Sequence, residues 1–267
     1  MLKQRFITAI ILVAIVMAAL FSSNPIFWRG LISLVVLIGF YEWLKFCAID
    51  KTAPKIISYC VFGLCFYLMQ VGYVPIGFVI PAACVLWLGL LIFTVTGALE
   101  IIHQTWLKLP IGMIVLSTSG WLIIEFRELQ SGALWILCFF ISVWAADVGA
   151  YFVGKRFGKT KLAPKVSPGK TVEGLLGGLT LVLLIFTPIL FNNFGLKAAS
   201  LLLLTILVTA IISVGGDLFE SKLKRHVGLK DSSHILPGHG GILDRIDSLL
   251  SGAPVFAAGL LWLGYFV

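Results

Sequence analysis

Nine apolar segments divide the chain, and most of them have the length of a membrane-spanning helix. A helix needs about 20 apolar residues to cross the hydrocarbon core of a bilayer, and about 17 suffice. The segments are residues 6–21, 27–46, 56–71, 74–96, 109–125, 133–153, 172–191, 197–216 and 248–267. This pattern predicts an all-α, polytopic integral membrane protein with about nine transmembrane helices.

The number of spans depends on the division of residues 56–96, because this stretch contains no Asp, Glu, Lys or Arg. Residues 72–75, Gly-Tyr-Val-Pro, have the composition of a turn. A division there places every basic residue except Arg29, Arg127 and Lys197 on the side of the membrane that holds the N-terminus. Because basic residues accumulate in the cytoplasm, we expect a cytoplasmic N-terminus and a C-terminus in the periplasm or outside.

The start of the chain allows a second interpretation. Lys3 and Arg5 precede an apolar run and small residues, which is also the pattern of a secretory signal peptide. Cleavage would remove one span without changing the orientation of the others. No clear A-x-A cleavage site precedes Asn24, so we favour an uncleaved first helix.

The composition excludes several classes of protein. The chain is 60% hydrophobic and 12% charged, with a mean hydropathy of +1.06, which argues against a soluble globular protein. All five cysteines lie in apolar segments or directly beside one, without a C-x-x-C pair, so we predict neither disulfides nor zinc. The net charge of +8 is concentrated in a few loops, and we therefore expect no nucleic-acid partner.

We expect two regions along the chain. Residues 1–130 would form N-terminal transmembrane helices 1 to 5. Residues 131–267 would form a catalytic transmembrane region whose cytoplasmic loops are residues 154–171 and 217–247.

Two acidic residues fall inside predicted spans, where an ionisable group is costly and often functional. Glu42 is followed by Lys45, so an ion pair at the helix end and a functional role are equally good interpretations. Asp147 precedes the most basic loop of the chain. We therefore expect Asp147 to belong to a functional site.

The loop at residues 154–171 has the character of a phosphate-binding segment. All its charged residues are basic, and its glycines let the backbone approach a ligand. A Walker A motif is excluded, because that motif would require glycine at Pro164. The residues expected to contact phosphate or to flank it here are Lys155, Lys159, Lys165, Ser167, Lys170, Thr171 and Glu173.

The loop at residues 217–247 combines basic residues with aspartates. Asp244 and Asp247 are three positions apart and would share one face of a helix. If the flanking spans form an antiparallel pair, Asp217 joins them, and three carboxylates would favour Mg²⁺ with substrate phosphates as its other ligands. The alternative is that Asp244 pairs with Arg245 or Lys224 and that Asp247 caps a helix.

The same loop carries a long motif. It reads S-x-x-K-R-x(4)-K-D and then P-G-H-G-G-x-x-D-R-x-D. The residues that meet it are Ser221, Lys224, Arg225, Lys230, Asp231, Pro237, Gly238, His239, Gly240, Gly241, Asp244, Arg245 and Asp247. With the stretch from Asp147 to Gly174, it resembles the phosphatidate cytidylyltransferases, also called CDP-diacylglycerol synthases. Gly169 departs from the pattern where we expect Lys, and residues 1–130 match only in hydropathy.

The resemblance implies transfer of CMP from CTP to phosphatidic acid, giving CDP-diacylglycerol and pyrophosphate. It implies a location in the bacterial cytoplasmic (inner) membrane, with the active site on the cytoplasmic side. It also implies Mg²⁺, with a second cation such as K⁺, held by Asp217, Asp244 and Asp247, and a homodimer. The other catalytic residues implied are Lys224, Arg225, Lys230, Asp231 and His239. The substrate contacts implied, besides those of the first loop, are Asp147, Ser221, Gly240, Gly241 and Arg245.

Two other functions fit the same inventory of residues. A CTP-dependent polyprenol or phytol kinase would transfer the γ-phosphoryl group and release CDP instead of pyrophosphate. A transporter of anionic lipids would bind headgroups without turning over a nucleotide. A transporter would not need the D-x-x-D pair beside Asp217.

Overall fold

Helices make up most of the chain in the computed structural model, which describes residues 2–96, 104–164 and 166–266. In chain order the elements are α1 (Leu2–Leu20), α2 (Pro25–Phe46), α3 (Thr52–Gln70), α4 (Ile76–Thr96), α5 (Thr105–Glu128), α6 (Gly132–Phe157), β1 (Lys161–Ala163), β2 (Ser167–Thr171), α7 (Val172–Asn193), α8 (Leu196–His226) and α9 (Leu243–Trp262). The predicted all-α membrane protein is confirmed in this coarse form.

Seven of the described helices, α2 to α8, are long and apolar enough to cross a bilayer. The apolar part of α1, Gln4–Leu20, is shorter. The first two turns of α9 carry Asp244, Arg245 and Asp247, which lower its hydropathy. Length and composition therefore support seven spans directly, and the predicted nine require α1 and α9 to cross as well.

The predicted division of residues 56–96 matches the structure. Gly72 lies between α3 and α4 with a φ of +80°, a backbone conformation that glycine adopts at little cost. Its N–H donates to the carbonyl of Met69. The chain therefore turns at the position that the charge distribution favoured.

Consecutive helices in the C-terminal half pack antiparallel through glycines. Gly216 of α8 lies against the backbone of Asp247 in α9, while Gly259, near the end of α9, lies against Thr205 of α8. The pair α6 and α7 is similar, because Gly174 and Gly178 face the carbonyls of Ala150 and Ala146. The G-x-x-x-G spacing of α7 thus serves packing within the chain.

The helix ends form two rims. At the rim that holds the start of α1, Thr8 donates to the carbonyl of Pro237 at 3.1 Å, and Lys45 at the end of α2 donates to that of Ser232 at 3.4 Å. We name this end, where α2, α4, α6 and α8 end, the site rim. At the opposite rim, the guanidinium of Arg127 donates to the carbonyl of Leu20 at 2.9 Å.

The two predicted loops are shorter than expected. Helix α8 continues to His226. Its charged end contains an ion pair one helical turn apart, between Lys224 and Glu220 at 3.1 Å, and such a pair stabilises a helix. The connection to α9 is therefore residues 227–242. Residues 154–157 belong to α6, and β1 and β2 form an antiparallel hairpin with Lys161 opposite Thr171. Hydropathy did not predict this hairpin.

Helices from both predicted regions share one buried core. Helix α9 packs on α8 and also on α4 and α5. Aromatic rings join these elements, as where Phe126 of α5 lies edge-on to Phe256 of α9 at 5.5 Å between centroids. The division at residue 130 stays a prediction.

Candidate active site

A polar cavity of about 440 Å³ opens at the site rim between α6, α8, α9 and the 227–242 connection. It gathers charged residues that lie up to 100 positions apart in the sequence. Its walls are Val143, Trp144, Asp147, Asp217, Lys224, Asp231, Asp244, Arg245, Asp247, Ser248 and Leu249. Seven of the predicted site residues therefore meet in one place: Asp147, Asp217, Lys224, Asp231, Asp244, Arg245 and Asp247.

Asp217 connects the cavity to the basic hairpin. Its Oδ2 lies 2.7 Å from Nζ of Lys170 in β2, and its Oδ1 accepts a hydrogen bond from Ser221 at 3.0 Å. Lys170 also donates to the carbonyl of Val214 at 3.1 Å. The lysine thus reaches from the hairpin to α8, and Asp147 lies within electrostatic range of both partners.

Lys224 is almost fully buried between two carboxylates. Its Nζ lies 2.5 Å from Oδ1 of Asp244 and 3.1 Å from Oε1 of Glu220. A buried ammonium needs such partners, because desolvation of an unpaired charge is costly. Asp244 thus forms the pair with Lys224 that the alternative interpretation included, and its role as a metal ligand stays a prediction.

The other oxygen of Asp244 holds the connection to α9. Oδ2 accepts from the N–H groups of Gly241 at 2.8 Å and Ser232 at 2.9 Å, and from the Ser232 hydroxyl at 3.0 Å. Gly240 adopts a φ of +83°, and a Cβ there would lie 2.8 Å from this oxygen. Gly240 and Gly241 are therefore placed around a carboxylate, and the substrate contacts predicted for them stay a prediction.

Glu42 is fully buried and binds the first turn of α9 from α2. Its carboxylate accepts from the N–H groups of Ile242 at 3.0 Å and Leu243 at 2.7 Å. The hydroxyls of Ser232, at 2.9 Å, and Ser233 donate to it as well. A negative charge at a helix N-terminus is favourable, since the free N–H groups point at it. Lys45 instead lies over the Tyr41 ring at 4.9 Å.

Of the three carboxylates predicted to bind metal, Asp247 has the fewest hydrogen bonds and ion pairs among those described. Its Oδ1 accepts from the N–H of Ser248 at 2.7 Å, so Asp247 does not cap the start of the helix. The charged groups around it are Asp217, Glu220 and Lys224. Asp247 and Asp217 therefore face the same polar space from two adjacent helices.

The charges of the cavity favour a cation. Its lining carries five carboxylates, Asp147, Asp217, Asp231, Asp244 and Asp247, against the two basic groups of Lys224 and Arg245. Carboxylate oxygens are the ligands that Mg²⁺ prefers. Within the described ranges, no three acidic, histidine or cysteine side chains converge closely enough to bind one ion. The donor set fits Mg²⁺ chemically, and the predicted three-carboxylate site stays a prediction.

Several residues expected at the site lie elsewhere in the structure. Thr171 caps α7 through Gly174, and Glu173 accepts from the N–H of Lys159 at 3.0 Å. Arg225 is exposed and donates to the carbonyl of Leu229 at 3.3 Å. The remaining residues are Lys155, stacked over Tyr151; Lys230, exposed; Ser167, in β2; and His239, on an adjoining apolar groove. Lys165 lies outside the described residues.

Sequence reasoning missed part of the supporting structure. Glu220, Ser232 and Ser233 were not predicted, although all three are buried around the carboxylates. Glu42 was identified only as a costly charge in a span, without its partner. The signal that could have pointed to the serines is their position directly after Asp231, inside the motif.

The contact between α8 and α9 gives a testable prediction. A Cβ at Gly216 would lie 2.7 Å from the carbonyl of Asp247 and against Oγ of Ser251. We expect Gly216→Ala to lower the free energy of unfolding by about 1–3 kcal/mol, as overpacking typically does. Thermal unfolding in detergent measures this. Gly89→Ala is the control, because no atom lies within 4 Å of its Cβ position; an equal melting temperature for both variants would contradict the prediction.

Comparison with known proteins agrees with the geometry. Residues 3–263 match the sequence pattern of the cytidylyltransferase family. A Pseudomonas aeruginosa protein named phosphatidate cytidylyltransferase is 39% identical over 98% of this chain and 97% of its own length. A Haemophilus influenzae protein of the same name is 36% identical, over 96% of this chain and 98% of its own. A Bacillus subtilis protein of that name is 48% identical over 49% of each chain.

Proposed function

The chain belongs to the cytidylyltransferase family, and from that premise we propose that it transfers CMP from CTP to phosphatidic acid, forming CDP-diacylglycerol and pyrophosphate. It is a nucleotidyltransferase and a membrane protein with several spans. The observation that carries the specific reaction is the polar cavity at the site rim, where carboxylates and basic groups meet beside the bilayer. The full-length relatives named phosphatidate cytidylyltransferase support the same reaction.

We place the site rim in the cytoplasm, at the inner membrane of a bacterium. The proposal includes nine spans, with α1 and α9 crossing beside the seven longer helices. Helix α9 contacts α8 along most of its length, because Asp247 lies against Gly216 and Gly259 lies against Thr205. These antiparallel contacts support a crossing of the bilayer by α9. The positive-inside rule supports the orientation. A homodimer is the expected assembly.

The reaction needs no general base from the protein. A phosphate monoester has a second pKa near 6, so the attacking oxygen of phosphatidic acid is already ionised at pH 7. This oxygen forms a bond to the α-phosphorus of CTP, and the bond to the β-phosphate oxygen breaks. The electron pair leaves with pyrophosphate. The obstacle is therefore the approach of two anions and the charge on the leaving group.

The residues divide this task according to their positions. Asp217, Asp244 and Asp247 would hold Mg²⁺, with Asp217 and Asp247 taking the larger part because Asp244 is already bonded to protein donors. The ion, accompanied by a second cation such as K⁺, would supply neutralisation of phosphate charge and alignment of the two reactants. Lys224, which lines the cavity, keeps Glu220 and Asp244 in place through its two ion pairs.

The basic groups at the mouth of the cavity would bind phosphate. Arg245 is exposed at the wall, and its planar guanidinium suits paired hydrogen bonds to phosphate oxygens. Lys170 is held at Asp217 and can exchange its carboxylate partner for a phosphate oxygen. Lys159 and Lys161 extend the positive surface along the hairpin, so this surface attracts an incoming nucleoside triphosphate.

The products decide between this proposal and a lipid kinase. Purified protein is incubated with phosphatidic acid and CTP labelled either at the α- or at the γ-phosphate. We expect α-label in a CDP-lipid and γ-label in pyrophosphate. Transfer of γ-label to a lipid would identify a kinase, and no turnover of CTP with any acceptor would favour a transporter.

A further inference from the structure

An apolar groove adjoins the polar cavity and shares a wall with it. Its volume is about 330 Å³, and it lies between α1, α2, α5, α6 and α9. Trp144, Arg245 and Leu249 line both spaces. Most other lining residues are aliphatic or aromatic, among them Val16, Ile32 and Phe140. A molecule with a charged head and an apolar tail could therefore occupy both spaces at once.

The groove extends from the site rim toward the middle of the bundle. On α1 it is lined from Ala9 to Met17, and on α2 from Val36 to Trp28. Each stretch covers eight residue steps, which is about 12 Å at a rise of 1.5 Å per residue. Because α1 begins at the site rim, Val13 is nearer the mouth than Val16. The groove is thus long and narrow, as an extended hydrocarbon chain requires.

A polar atom without a partner lies at the mouth. His239 lines the groove, and its Nδ1 is buried with no hydrogen-bond partner among the residues described. Arg245 fixes this loop, because its Nε donates to the carbonyl of His239 at 3.1 Å. A buried nitrogen left unpaired is costly, so a ligand oxygen is the expected partner.

We propose that this groove binds one acyl chain of the lipid acceptor. The inference rests on the proposed function and adds the position of the lipid: phosphate in the polar cavity, glycerol ester oxygens near His239, and the chain along α1 and α2. Bilayer hydrocarbon is as apolar as the groove, so burial of the chain there adds little affinity. The groove acts by holding the phosphate in register with the nucleotide, and loss of register by about 1 Å is enough to slow a reaction a hundredfold.

Blocking the groove at two depths tests this inference. We expect Val16→Trp to lower kcat/KM at least about tenfold for phosphatidates with 18-carbon chains. Chains of 6 carbons end nearer the mouth of the groove than residue 16, so kcat/KM for these phosphatidates should stay within about twofold of wild type. Val13→Trp, about 4.5 Å nearer the mouth, should extend the loss to chains of intermediate length. Ile15→Trp is the matched control, since Ile15 is exposed on the same helix and is not part of the groove lining.

The outcomes separate this inference from the proposed function. If wild-type protein forms no CDP-lipid from any phosphatidate, the proposed function fails. If wild type is active but Val16→Trp and Ile15→Trp show the same dependence on chain length, the acyl groove is wrong. Melting temperatures in detergent establish first that the variants compared are folded. An equal loss for short and long chains in both groove variants then also overturns the acyl groove.

Discussion

Asp217→Asn is expected to reduce CMP transfer at least about a hundredfold while the protein remains folded and inserted. Loss of a residue that merely supports a metal ligand typically costs 10- to 100-fold, and Asp217 is proposed as a ligand itself. The amide keeps the shape of the side chain and can still accept from Ser221. It removes the charge that faces Lys170 at 2.7 Å and the cation. Initial rates at saturating Mg²⁺ and both substrates measure the effect.

The control for this substitution lies at the opposite rim. Glu128→Gln removes the same charge, but Glu128 is exposed and pairs only with Arg29 at 3.2 Å among the contacts described. Exposed ion pairs contribute little, so its activity should equal that of wild type. If Asp217→Asn keeps more than half of the wild-type rate, its assignment to the cation is wrong.

Glu42→Ala is expected to cause the largest loss of stability. Removal of the carboxylate leaves the N–H groups of Ile242 and Leu243 without an acceptor in a buried place. Each unsatisfied buried group costs about 1–3 kcal/mol, which gives a loss of about 2–6 kcal/mol for the pair. The serine hydroxyls can rotate to other acceptors, but the backbone groups cannot. The melting temperature in detergent should fall clearly, and activity should fall with it because α9 carries Asp244 and Asp247.

A milder variant at the same position separates charge from hydrogen bonding. Glu42→Gln keeps one oxygen that can accept from the start of α9, so it should lose less stability than Glu42→Ala.

Gly241 has no room for a side chain beside this carboxylate, since a Cβ would lie 2.5 Å from Oε1 of Glu42. A wild-type melting temperature for Glu42→Ala would contradict the role of the Glu42 carboxylate in joining α2 to the start of α9.

Much of the fold could be predicted from the sequence, because membrane helices leave a strong hydropathy signal. The turn at Gly72 followed from charge counting, and the meeting of Asp217 with Asp247 followed from an assumed antiparallel pair. The extension of α8 to His226 was missed, because hydropathy counts Glu220 and Lys224 as polar although they pair within the helix and Lys224 also pairs with Asp244 of α9. A hydropathy profile does not take account of such ion pairs.

The supporting residues of the site could not be predicted, for a related reason. Glu42 binds the start of α9 from 200 positions away, and one sequence does not show which distant helix faces a buried carboxylate. The pairing of Asp244 with Lys224 was only an alternative, since the sequence offers several cations at similar spacing. Residue types indicated which kinds of ligand the site could bind, whereas the hydrogen-bond and ion-pair partners of each carboxylate depended on how the helices pack.

Binding of Mn²⁺ as a probe for the Mg²⁺ site tests the central claim most directly, because it requires no turnover. Electron paramagnetic resonance of purified protein should show Mn²⁺ bound in competition with Mg²⁺. The affinity should weaken at least about tenfold in Asp217→Asn and Asp247→Asn and stay unchanged in Glu128→Gln. Equal Mn²⁺ affinity in all four proteins, or no binding to wild type with CTP present, would contradict a cation held by carboxylates of α8 and α9.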